Sequence, residues 1–274
     1  MFGFRKKVFG KVKRNIRKII LVTAMSAMLF ASNSAQAAIN IENHLPSPVR
    51  AEITQSLERH PIKQNQSLAI SIHVKKAENE LKMVEVHLSD ADKHPVGTGD
   101  SFNFYNLTNF QTNTWMALDA LEKAAFEYRD AANILGDNEA FKSQFEAINQ
   151  AYYEIYKDYF NVKYEEAIYH AKLASGYGTP IKGISHGGLA ITAVTDLDKT
   201  LNIHLRTMTH NIPYTSQLQQ LLETSYGMTQ ELFREITNHR DGSPHAHSGP
   251  KANAPAPWWK HTPHTDHLEV HRIP

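Results

Sequence analysis

The chain has 274 residues, 41% of them hydrophobic and 21% charged, with a formal charge of +1, which is the composition of a chain able to pack an ordinary core. It contains no cysteine, which excludes disulfides, thiolate metal sites, cysteine nucleophiles and a lipid-modified cysteine.

Eight of the first eighteen residues are basic: Arg5, Lys6, Lys7, Lys11, Lys13, Arg14, Arg17 and Lys18. An uncharged apolar run from Ile19 to Phe30 follows, then a small-residue stretch containing Ala35-Gln36-Ala37. This order of basic, apolar and small-residue regions predicts a cleavable signal peptide over residues 1–37 and an exported chain that begins near Ala38. The apolar run is too short to span about 30 Å of hydrocarbon as a helix, and no second long apolar run appears, so no transmembrane span is expected after cleavage. Cleavage removes eight of the 29 basic residues and none of the 28 acidic ones, leaving 21 against 28 and a net charge of −7. An acidic chain without a local basic patch has no general attraction for phosphate backbones, so nucleic-acid binding is not expected.

In residues 38–107 the pattern predicts a small α+β module. Ser47-Pro48 opens a short helix over 48–60. Leu68, Ile70, Ile72 and Val74 alternate with polar or small residues, as do Val84, Val86 and Leu88, which predicts a β-hairpin turning at Ala77 to Asn79. Residues Ser101 to Leu107 supply a third strand.

Past residue 110 the period changes from two to about 3.6. Trp115, Leu118, Leu121, Ala125, Tyr128, Ala132 and Leu135 mark one helix, closed by Gly136. A longer helix is predicted from Asn138 to about Ala174. Phe141, Phe145, Ile148, Tyr152, Ile155, Tyr159 and Val162 form one stripe on it, and Tyr153, Tyr156, Phe160, Tyr164 and Ile168 a second, so its apolar arc is wide. After a glycine-bearing connection, Gly176 to Gly188, a third helix carries Leu189, Ala193, Leu197, Leu201, Leu205 and Met208 and stops before Pro213. A fourth, Tyr214 to Asn238, carries Leu218, Leu221, Leu222, Met228, Leu232 and Ile236. The fold class expected is therefore mainly α: an antiparallel helical bundle over 108–239, preceded by the α+β module and followed by a disordered His/Pro-rich tail. That tail, residues 240–274, holds six prolines and six of the sixteen histidines.

Three groups of residues are candidates for chemistry. Gly183-Ile184-Ser185-His186-Gly187-Gly188 fits G-x-S-x-G and resembles the nucleophile elbow of α/β-hydrolase esterases and lipases. The resemblance implies a serine hydrolase with Ser185 as nucleophile on a strand-to-helix turn. The alternative reading of the same residues is an interhelical turn with Ser185 capping the next helix. In the tail, His245, His247, His261, His264, His267 and His271 group at spacings of two, three and four. Neutral imidazoles so grouped suit Zn²⁺, Cu²⁺ or Ni²⁺, held exchangeably by a tail that must order on binding. Within the bundle, Glu166 and His170, and Glu235 and His239, stand four apart on one helix face each, where a buried metal site could draw on them. Trp258-Trp259 could dock on a partner, on a membrane surface or on the bundle. With no catalytic set assembled by the pattern, the expectation is an exported binding protein of the periplasm or envelope. A protein partner is expected, with metal capture by the tail as a second role and oligomer formation through the bundle as a further option. The serine hydrolase is the alternative.

Overall fold

A computed structural model describes residues 2–31, 51–52, 54–56, 59, 64–97, 102–176, 180–240 and 273. These are mainly helical, and none of the described residues lies in a strand. The helices are α1 (Phe2–Ala31), α2 (Gln64–Ala91), α3 (Phe104–Leu135), α4 (Lys142–Gly176), α5 (Pro180–Asp196), α6 (Asn202–Asn211) and α7 (Ser216–Arg240). A 3-10 turn, Glu139–Phe141, leads into α4, and a π-helical turn, Leu197–Leu201, joins α5 to α6. No helix among the described residues is long and apolar enough to cross a membrane.

The β-hairpin and third strand of the predicted α+β module are not present: residues 64–91 form one continuous helix and residues 104–107 are the start of another. The physical reason is in the spacing of the buried side chains. Ile70, Val74, Ala77, Leu81, Val84, Leu88 and Ala91 are all buried, stepping alternately by four and three through the residues expected to turn. That is the seam of a helix packed lengthwise on another. The residues that completed the alternation, Leu68, Ile72 and Val86, remain about half exposed, at 59%, 49% and 49%. In the expected 48–60 helix, the described residues 51–52, 54–56 and 59 are helical. The tail lies outside the described residues except for Arg240, the last residue of α7, and Ile273.

The chain divides into two compact units. The first comprises Met1–Val96, Asn103–Tyr156 and Met208–Leu218. Here α3 sets Leu118, Leu121, Ala125, Tyr128, Ala132 and Leu135 in the core, as the sequence stripe requires, with Ala117, Ala120, Ala124 and Ala131 between them. The small residues let α2 approach closely. Asn103 caps the start of α3 by accepting a hydrogen bond from the Tyr105 amide. Gly136 ends it in the left-handed conformation, φ 80°, with its amide on the Ala132 carbonyl, the conformation that glycine adopts without steric cost. Tyr128 packs against Phe141 and Phe145, tying α3 to the start of α4. Asn149 donates to the carbonyls of Pro213 and Tyr214 at 3.0 Å each and so fixes the turn in which Tyr214 takes a positive φ of 60°.

The second unit comprises Gly97–Phe102, Lys157–Thr207 and Gln219–Pro274. Phe160, Val162, Tyr164, Ala167, Ile168 and Ala171 of α4 are buried, as are Ala190, Ala193 and Val194 of α5 and Leu232 and Ile236 of α7. Ser225 donates to the Asn202 side-chain oxygen at 3.0 Å within this core. Ile273 is buried, and its amide donates to the Asn161 side chain at 3.0 Å.

Candidate functional site

The N-terminal segment is where composition and structure differ most in emphasis. Its basic residues dominate the composition, yet Phe9, Val12, Ile16 and Ile19 step by three and four, and all four are buried in the first unit. Thr23, one turn further on, is also buried and hydrogen-bonds the Tyr128 hydroxyl of α3. Phe9 stacks on Phe110 of α3, ring centroids 6.1 Å apart at 8°.

Charged contacts flank this apolar line. Lys13 pairs with Asp92 and Arg17 with Glu85, both at the α2 side, and Lys11 lies 3.8 Å from Glu154 of α4. The two α2 pairs run in opposite chain order, while the Phe9–Phe110 and Thr23–Tyr128 contacts run in the same order, so α1 is antiparallel to α2 and parallel to α3. α1 thus lies over Phe110 and Tyr128 of α3, flanked by Glu85 and Asp92 on the α2 side and by Glu154 of α4. Burial of the apolar line decides the energetics. Each fully buried aliphatic or aromatic side chain contributes about 1.5–3 kcal/mol, whereas partly exposed ion pairs contribute about 1 kcal/mol or less. The ion pairs set register and direction.

In the second unit, His170 of α4 is buried and its Nδ1 lies 3.0 Å from Nδ1 of half-buried His186 on α5. The rings are 5.2 Å apart between centroids at 27°, and Tyr169 meets the His170 ring edge-on. Burial first, then the neighbouring His186 and Lys163, push the His170 imidazole down to about 4. Two turns away, buried Lys163 bridges Glu166 at 3.1 Å and Asp196 at 3.2 Å.

The sequence-predicted site residues are distributed as follows. Ser185 lies inside α5, whose backbone is helical from Pro180 to Asp196. The described backbone therefore has neither the glycine connection nor the strand-to-helix turn that a nucleophile elbow uses. Packing of Ala190, Ala193 and Val194 overrides glycine's helix cost of about 1 kcal/mol per residue. His245, His247, His261, His264, His267 and His271 lie outside the described residues, as does Trp258-Trp259. Of the spaced pairs, Glu166 binds Lys163, and His170 finds His186 in place of a carboxylate. His186 was hidden because it sits in a stretch read as a turn; the helical spacing of Ala190, Ala193 and Val194 was the signal for extending α5 back over it. No group of three or more His, Cys, Asp or Glu side chains able to hold a metal ion occurs among the described residues.

Comparison with protein-family models, with curated proteins and with solved structures gives no match.

Proposed function

We propose that this chain is an exported, non-catalytic binding protein of the periplasm or cell envelope, and that its binding surface is the groove between α2 and α4, over α3, in which α1 lies. On this reading residues 1–37 direct export and are then removed. The groove bared by their loss receives a basic amphipathic helix of an envelope protein. The observation that carries the reading is the seating of α1: an apolar line of Phe9, Val12, Ile16 and Ile19 over an aromatic floor, with Lys13 and Arg17 matched to Asp92 and Glu85. A helix laid in a groove with its apolar anchors at three- and four-residue spacing is a recurrent mode of peptide recognition. The acidic rim adds a charge requirement that steers association and excludes acidic helices.

The test is a titration of the chain beginning at Ala38 with a capped peptide spanning Arg5 to Thr23. Saturable one-to-one binding is expected. Substituting the peptide at Phe9→Ser and Ile16→Ser abolishes it, and Glu85→Lys with Asp92→Lys in the protein weakens it by about tenfold at low salt. A folded chain that ignores the peptide refutes the groove as a binding surface.

A further inference from the structure

The line of α1 residues that faces α3 ends in a polar contact. Thr23 continues Phe9, Val12, Ile16 and Ile19, and it is fully buried, as is Tyr128 of α3. The Tyr128 ring packs against Phe141 and Phe145, and its hydroxyl meets Thr23 Oγ1. The same Oγ1 lies 2.7 Å from the Ile19 carbonyl, one turn back on α1. A carbonyl only accepts, so the single hydroxyl hydrogen of Thr23 is committed to Ile19. Tyr128 is therefore the donor and Thr23 the acceptor: the bond runs from the floor of the groove into the helix seated on it. Burial, followed by the nearby Glu78 carboxylate, raises the Tyr128 phenol above its ordinary range and keeps it a donor.

A helix that replaces α1 must meet this donor. Burying it unpaired costs enough to weaken binding by about tenfold, so an apolar residue at the position of Thr23 is penalised. Lysine and arginine offer donors to a donor. Asparagine and glutamine accept the bond but bring amide hydrogens that need acceptors of their own. Aspartate and glutamate accept it and place a second carboxylate near Glu78, which is itself buried with Lys75 and Lys82 as its partners. Serine and threonine accept it and dispose of their own hydrogen on the carbonyl four residues back, as Thr23 does.

We propose, resting on the groove as the binding surface, that Tyr128 is a specificity-determining residue: the groove selects a basic amphipathic helix that carries serine or threonine four residues after its last apolar anchor, as Thr23 follows Ile19. The apolar line and the ion pairs at Lys13 and Arg17 admit basic amphipathic helices as a class, and the Tyr128 hydroxyl chooses among them.

The experiment titrates the chain beginning at Ala38 with capped peptides spanning Arg5 to Ala27, which extend one turn beyond Thr23. Thr23→Ser should bind within about threefold of the parent peptide, and Thr23→Val about tenfold more weakly. Against Tyr128→Phe protein, which keeps the ring and its packing, the parent and Thr23→Val peptides should bind within about twofold of each other, because removing both partners leaves nothing unpaired. The same cycle in the full chain, with residues 1–37 attached, needs no peptide. There Thr23→Val should lower the urea midpoint clearly in the parent and much less in Tyr128→Phe. If the parent peptide does not bind, the groove reading fails and the selectivity falls with it. If it binds and Thr23→Val binds equally well, the groove stands and the hydroxyl requirement is overturned. An equal loss with and without the Tyr128 hydroxyl, in the titration or in the full-chain midpoints, overturns the requirement as well.

Discussion

The cost of weakening the seat of α1 is set by Ile16. This side chain is fully buried, midway along the apolar line, and Ile16→Ala removes three carbons from a packed site. Such truncations cost about 2–5 kcal/mol, depending on how far the site collapses. Lys13→Ala removes an ion pair whose partners are each about one-fifth exposed, and its cost is about 1 kcal/mol or less. The ranking, apolar truncation well above ion-pair removal, is the content of the prediction. It is measured by urea unfolding of chain made in a membrane-free translation system, so that residues 1–37 stay attached. Ile16→Ala should lower the midpoint with little change in m, and Lys13→Ala should lower it far less. Coincident midpoints for Ile16→Ala and the parent would mean that α1 adds nothing to the folded unit, and the groove argument would lose its footing.

Other residues give sharper local expectations. Between an unfolded value near 6.5 and a folded value of about 4 for His170, the unfolded chain binds more protons, so the contribution is whole above pH 6.5 and is lost as pH falls toward 4. The gap corresponds to about 3 kcal/mol at most, and to about 2 kcal/mol once solvent screening on the His186 side is allowed for. Unfolding midpoints for the parent and His170→Gln, compared from pH 7 to 4.5, should show a shallower slope in the variant, and parallel slopes would contradict the assignment. Lys163→Met leaves Glu166 and buried surroundings without their ammonium and should cost about 2 kcal/mol by thermal unfolding; a neutral result would show the bridge to be dispensable. Gly136→Ala forces a side chain into the left-handed region and should cost about 1 kcal/mol in the same assay, whereas an unchanged midpoint would mean that the cap relaxes.

The long helices were legible because their stripes are strict. Phe141, Phe145, Ile148, Tyr152, Ile155 and Val162 were expected inside, and all are buried. Gly136 was expected to end α3 and does. The α2 region misled because Leu68, Ile72 and Val86 happen to create a period of two beside a period of 3.5, and only burial tells the two apart. At the N-terminus it was the packing that could not be read. A run of lysines and arginines reads as a leader by composition, and the apolar line from Phe9 to Ile19 between them carries no mark of what it packs against. The His170–His186 pair was out of reach for another reason. It joins two helices across an interval of sixteen residues, and no local spacing rule records a contact between separate helices. The groove's acidic rim was equally invisible, since Glu85, Asp92 and Glu154 become neighbours only once α2 and α4 are placed.

The binding account is tested most directly by placing a photo-crosslinking amino acid at Phe110, on the groove floor, in chain exported to a bacterial periplasm. The account predicts processed chain that begins near Ala38 and crosslinks to a basic helix of another protein, with the adduct lost when Glu85→Lys and Asp92→Lys are introduced. An adduct between Phe110 and the chain's own residues 2–31, or no adduct in processed chain, would contradict it.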